Sequence, residues 1–102
     1  MIELTDDGLR TALEERKSEQ YFLYLFTPMC GTCMVASKML TVVEAMNSNI
    51  SIGKMDLNYA PQLAEEYKIE SVPCLLIFKD GQLQEKIYRF ESVPNLLEVM
   101  SS

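Results

Sequence analysis

Two uninterrupted apolar runs, Tyr21 to Phe26 and Cys74 to Phe78, constrain this chain more than any other feature. A strand with one face in water alternates polar and apolar residues, and neither run alternates. Each must therefore be covered on both faces, as in the middle of an α/β sheet. Both runs are far shorter than the roughly 20 residues needed to cross a bilayer, so no membrane partner is expected.

Helical patterns separate the runs. After Cys30, the residues Met34, Val35, Met39, Val42, Val43 and Met46 recur three or four apart, which predicts a largely covered helix of about four turns. A methionine stripe of this kind reads as adaptable core packing. A further strand is expected around Ile50 to Leu57, followed by a helix capped by Asn58, with Pro61 in its first turn and Leu63, Ala64 and Tyr67 inward. Asp6 and Asp7 are expected to cap a first helix reaching about Ser18. Asp80-Gly81 signals a hairpin into Leu83 to Tyr88, and a last helix is expected from Val93 to Met100, with a short strand at Ile2 to Leu4. Strands joined through helices and then a hairpin indicate a mixed sheet with helices on both faces. At 102 residues, with no repeat or linker, residues 1–102 are expected to form one domain.

Charge and cysteine content narrow the function. Nine basic residues stand against 15 acidic ones, a balance that argues against nucleic acid as the partner. The acidic residues fall in polar helical stretches such as Glu14-Glu15 and Glu65-Glu66, where a solvated face is the plain reading. Histidine is absent, which removes Ser–His and Cys–His catalytic pairs and most zinc enzymes. Three cysteines suit neither a secreted disulfide framework nor a complete four-cysteine metal site. The acidic N-terminal stretch is unlike a signal peptide, so a cytoplasmic location is expected.

The sharpest motif is Cys30-Gly31-Thr32-Cys33, at a strand–loop–helix junction. There the unpaired N–H groups and dipole of the helix start favour an anion, and a spacing of three brings Cys33 within disulfide reach. A free thiol of pKa about 8.5 is only ~3% ionised at pH 7, whereas one near 7 is about half ionised. Cys30, nearer the tip, would attack a disulfide, and Cys33 would resolve the mixed disulfide. Gly31 would allow close approach of a partner backbone. The competing structural reading is half of a zinc or iron–sulfur site lacking its remaining ligands. The second motif is Ser71-Val72-Pro73-Cys74, with a proline at a strand start, where a missing N–H is tolerated.

Taken together, these residues resemble the thioredoxin family over nearly the whole chain. Phe26 to Cys33 resembles the family's active-site loop, and Val72-Pro73, 40 residues after Cys33, resembles its cis-proline loop. Lys54 sits where the family carries a lysine on the central strand, and Phe78-Lys79-Asp80-Gly81 resembles its hairpin entry. The resemblance implies an α/β thioredoxin fold, a mixed central β-sheet flanked by helices on both faces, and disulfide exchange with protein disulfide substrates. It also implies a groove around Pro73 and Val72, turnover by a thioredoxin reductase or other thiol donor, and no cofactor.

The departures are specific. Met29 replaces the tryptophan before the first cysteine, and Thr32 replaces the proline between the cysteines. Tyr24 stands where the family has a buried Asp that relays a proton, and a phenol of pKa about 10 is a poor base at pH 7. Proton transfer from Cys33 would then need water or the neighbourhood of Lys54. Lys38 replaces the helix-kinking proline, and Arg89 aligns with a groove glycine. Cys74 reads as a small buried hydrophobe, or as a thiol close enough to Cys30 to tune it or to help hold a cluster between subunits. Two rival functions follow: a partner-binding module using Met29, Pro28 and Phe90, and an iron–sulfur or metal-binding dimer.

Overall fold

A computed structural model describes residues 1–101. Its elements run β1 (Ile2–Glu3), α1 (Asp6–Glu15), β2 (Gln20–Phe26), α2 (Gly31–Met46), β3 (Ile52–Asp56), a 3₁₀ turn (Leu57–Tyr59), α3 (Pro61–Glu66), β4 (Cys74–Lys79), β5 (Gln82–Ile87) and α4 (Val93–Met100). The five strands form one sheet in the order β1-β3-β2-β4-β5. Strands β1, β3 and β2 are parallel, whereas β4 runs antiparallel to both β2 and β5. The sheet is therefore mixed.

The two apolar runs are the adjacent strands β2 and β4, and their pairing explains why neither alternates. Tyr24 opposes Leu75 and Leu25 opposes Cys74. Side chains of a strand point alternately to opposite faces. Phe22, Tyr24, Leu75 and Ile77 consequently join Ala36, Leu40 and Val43 of α2 and Leu96 and Met100 of α4 in one core. Leu23, Leu25, Cys74, Leu76 and Phe78 join Leu9 of α1 and Leu63 of α3 in the other. Helices thus cover both faces, and no charged side chain among the described residues is buried.

Local chemistry shifts several boundaries. The cap of α1 is Thr5, whose hydroxyl accepts the Gly8 N–H at 3.1 Å; Asp6 and Asp7 lie inside the first turn, and the helix stops at Glu15 rather than Ser18. Asn58 caps nothing. It lies within the 3₁₀ turn, where its N–H donates to the Asp56 carboxylate at 2.9 Å, and α3 starts from Ala60 without a side-chain cap. The Asp80-Gly81 turn has φ of 56° and 77°, the doubly left-handed geometry of a type I′ hairpin.

Helix α2 departs most from expectation. Its buried residues are Cys33, Ala36, Leu40 and Val43, while Met34, Val35, Val42 and Met46 are exposed. The helix carries apolar residues around most of its circumference, yet the sheet covers only one arc of it. The expectation of a largely covered methionine stripe is wrong for that reason.

Candidate functional site

Strand β2 ends at Phe26, and four residues later Cys30 begins α2. Cys30 is the helix cap itself, with φ −102° and ψ 112°, and its sulfur accepts the Cys33 N–H at 3.2 Å. A helix start leaves its first N–H groups without partners, so a sulfur placed there meets donors and the positive end of the dipole. The Thr32 hydroxyl lies 3.2 Å from the same sulfur. Hydrogen bonds from the Cys33 thiol and then from Thr32 hold the Cys30 thiol below the ordinary cysteine range. Its partner is opposite in character. Cys33 is 3% exposed, and burial followed by the bond it gives to Cys30 pushes its thiol up. Environment alone thus shifts two chemically identical groups in opposite directions, Cys30 towards its thiolate and Cys33 towards its thiol.

The second motif closes the site from the other side. Val72–Pro73 is a cis peptide bond, and the Val72 carbonyl lies 4.0 Å from the Cys30 sulfur. Met29, at 96% exposure, stands free beside the dithiol, with Gly31, Thr32 and Arg89 also exposed. A Cβ built on Gly31 would meet nothing within 4 Å, so the chain itself does not require glycine there.

Tyr24 is 1% exposed, and its hydroxyl donates to the Cys33 carbonyl at 2.6 Å. Burial drives its phenol far above the normal range, with the nearby Cys33 thiol adding to the effect, so it stays protonated. Sequence reasoning found this residue as a poor base but missed its bond, because a hydroxyl's partner is set by strand–helix packing. Tyr24 stacks on Phe26 with ring centroids 5.8 Å apart and meets Phe90 edge-on at 6.1 Å. Phe90 is therefore partly buried, with one side packed on this core.

Lys54 lies on β3, beside the central strand β2, in register with Tyr24. Its ammonium sits 5.8 Å over the Phe26 ring, and both line a cavity of ≈ 300 Å³ that also reaches Cys30, Cys33 and Lys38. Cys74 is elsewhere. At 0% exposure it packs with Leu25, Leu76 and Leu9 on the opposite face of the sheet from Cys33. Burial pushes its thiol up to about 11, against smaller opposing effects of the Tyr88 hydroxyl and Lys86. The three cysteines share no centre, and among the described residues no three metal-ligating side chains converge. All three thiols are free.

A five-stranded mixed sheet with a cysteine pair at a helix cap, facing a cis-proline loop, defines a dithiol exchange protein. The family model described as Thioredoxin matches residues 1–102. The thioredoxin-like protein YusE of Bacillus subtilis is 48% identical over 88 residues, 86% of this chain and 83% of that protein. A Staphylococcus aureus thioredoxin is 35% identical over 101 residues, 98% of this chain and 94% of the relative. The thioredoxin of Fasciola hepatica superposes with a TM-score of 0.85 at 19% identity, covering 99% of this chain and 97% of that one, a likeness of fold. The chain belongs to the thioredoxin family and is a thiol–disulfide oxidoreductase whose Cys30 and Cys33 lie side by side. Its family acts on protein disulfides, typically with a reductase, and no helix among the described residues is long and apolar enough to cross a membrane.

Proposed function

We propose that Cys30 is the nucleophile and Cys33 the resolving thiol of a cytoplasmic reductase of protein disulfides. The observation that supports this most is the Cys30 sulfur capping α2 while facing the Val72 carbonyl. An extended substrate segment pairs with the Val72 backbone beside Pro73, which sets its disulfide against that sulfur. The Cys30 thiolate attacks one substrate sulfur, the substrate S–S bond breaks, and the departing thiolate takes a proton from solvent. Cys33 then loses its proton and attacks the Cys30 sulfur, forming the Cys30–Cys33 disulfide and releasing the second substrate thiol. Two electrons pass from dithiol to substrate, and a thioredoxin reductase or another thiol donor restores the pair. Tyr24 is too weakly acidic to serve as relay, so the Cys33 proton leaves through the cavity that Lys54 lines.

The test is insulin disulfide reduction with dithiothreitol as donor. Cys30→Ser is expected to lower the rate to the dithiothreitol background, and Cys33→Ser to retain substrate as a mixed disulfide on Cys30. Equal rates for wild type and Cys30→Ser would overturn the assignment. The direction of exchange is checked by equilibrating the pair with glutathione, where a potential as oxidising as about −120 mV would contradict a reductase.

A further inference from the structure

The cavity beside the dithiol is lined without Val72 or Pro73, the loop against which a protein substrate would pair. At ≈ 300 Å³ it lies at the small end of ligand pockets, and both cysteines of the pair line it. Its lining combines apolar surface from Phe26 and Met34, the two cysteines, and two cations, Lys38 and Lys54. Lys38 and Lys54 line it from different elements, α2 and β3. Neither has a carboxylate within ion-pair distance among the described residues; the two ion pairs there lie elsewhere, at Glu44 and Asp7. Lys54 is instead held over the Phe26 ring at 5.8 Å. In a chain carrying −6 overall, two unneutralised cations facing one cavity are a local reversal of the field.

We infer that this cavity is a subsite for small disulfides bearing carboxylates, with Lys38 and Lys54 holding the carboxylates while Cys30 reaches the disulfide. The inference rests on the dithiol reading above and extends it to a second substrate class. The Cys30 thiolate forms a bond to one sulfur of the small disulfide, whose S–S bond breaks and whose first half leaves as a thiolate that takes a proton from solvent. Cys33 then gives up its proton, displaces the second half and closes the Cys30–Cys33 disulfide. One disulfide becomes two thiols, and the dithiol supplies both electrons.

Second-order rates of the reduced protein are measured with 3,3′-dithiodipropionate, which carries two carboxylates, and with neutral hydroxyethyl disulfide. Their ratio is divided by the same ratio for dithiothreitol, which removes the intrinsic reactivity of the two reagents. The normalised ratio is expected to exceed one, although the net charge of the protein opposes it, and to fall as salt is raised. Lys38→Gln and Lys54→Gln are each expected to lower it by roughly two- to fivefold, the scale of a solvent-accessible ion pair, with Lys38→Arg restoring it. A ratio of one or below, or one unmoved by both variants, overturns the subsite. Insulin reduction measured alongside separates the two failures. Insulin turnover with no carboxylate preference sinks the subsite alone, whereas no exchange with any disulfide sinks the dithiol reading and the subsite with it.

Discussion

At the residue scale, three thiols in one chain are made unlike by what surrounds each sulfur. Cys30 meets hydrogen-bond donors at a helix start, Cys33 is buried behind it, and Cys74 is enclosed by the second core. Alkylation rate follows the thiolate fraction and access together. Iodoacetamide at pH 7 is therefore expected to label Cys30 first, Cys33 far more slowly and Cys74 only after unfolding, read by peptide mass spectrometry. Because the Cys30 thiolate is the stabilised form, its labelling should hold as pH drops below about 8.5 and decline only at lower pH. Rapid native labelling of Cys74 would contradict its placement. Tyr24 offers a second check. Tyr24→Phe removes the 2.6 Å bond to the Cys33 carbonyl and is expected to cost about 1 kcal/mol in urea unfolding. It should leave insulin reduction active, since a phenol that stays protonated carries no proton for Cys33; loss of turnover would assign Tyr24 a chemical role.

At the element scale, what the sequence made legible was periodicity, and what it hid was context. The two doubly covered strands could be read directly, because a run such as Tyr21 to Phe26 has no polar face to turn outward. The active-site pair was equally legible, since a Cys-x-x-Cys at a strand–helix junction carries its own geometry. Helix α2 was misread because apolar residues on several faces do not say which arc meets the sheet. Caps failed for a related reason: Thr5, Asp6 and Asp7 can all cap, and only the chain direction out of β1 decides among them. Gly53 is another site that packing determines. A Cβ there would collide with the Tyr21 hydroxyl and the Leu4 side chain, where β1, β2 and β3 meet. Gly53→Ala is accordingly expected to destabilise by about 1–3 kcal/mol, the scale of overpacking in a closed site. A denaturant midpoint unchanged from wild type would show that this junction yields.

At the scale of the whole molecule, the sheet divides the chemistry as well as the cores. Cys33, Tyr24 and Lys54 belong to the face covered by α2 and α4, and Cys74 belongs to the face covered by α1 and α3. The third thiol thus sits in a core, where its burial bears on stability. With its pKa pushed up to about 11, Cys74 keeps its proton in the fold at a pH where the unfolded chain, at about 8.5, has lost it. A group whose folded value is raised stabilises fully below the unfolded value and loses that contribution as pH rises through the folded one. Stability is therefore expected to fall from about pH 8.5 upward, with Cys74 accounting for about 1–2 kcal/mol by pH 10. Cys33 is shifted in the same direction, and the raised tyrosines Tyr21, Tyr24 and Tyr67 enter above about pH 10. The contribution of Cys74 is isolated by comparing urea unfolding of wild type and Cys74→Ala at pH 8 and pH 10. The variant should lose less stability across that interval whatever its offset at pH 8. Equal losses in the two would mean that Cys74 ionises within the fold as readily as in solvent, which its enclosure between β2, α1 and α3 forbids.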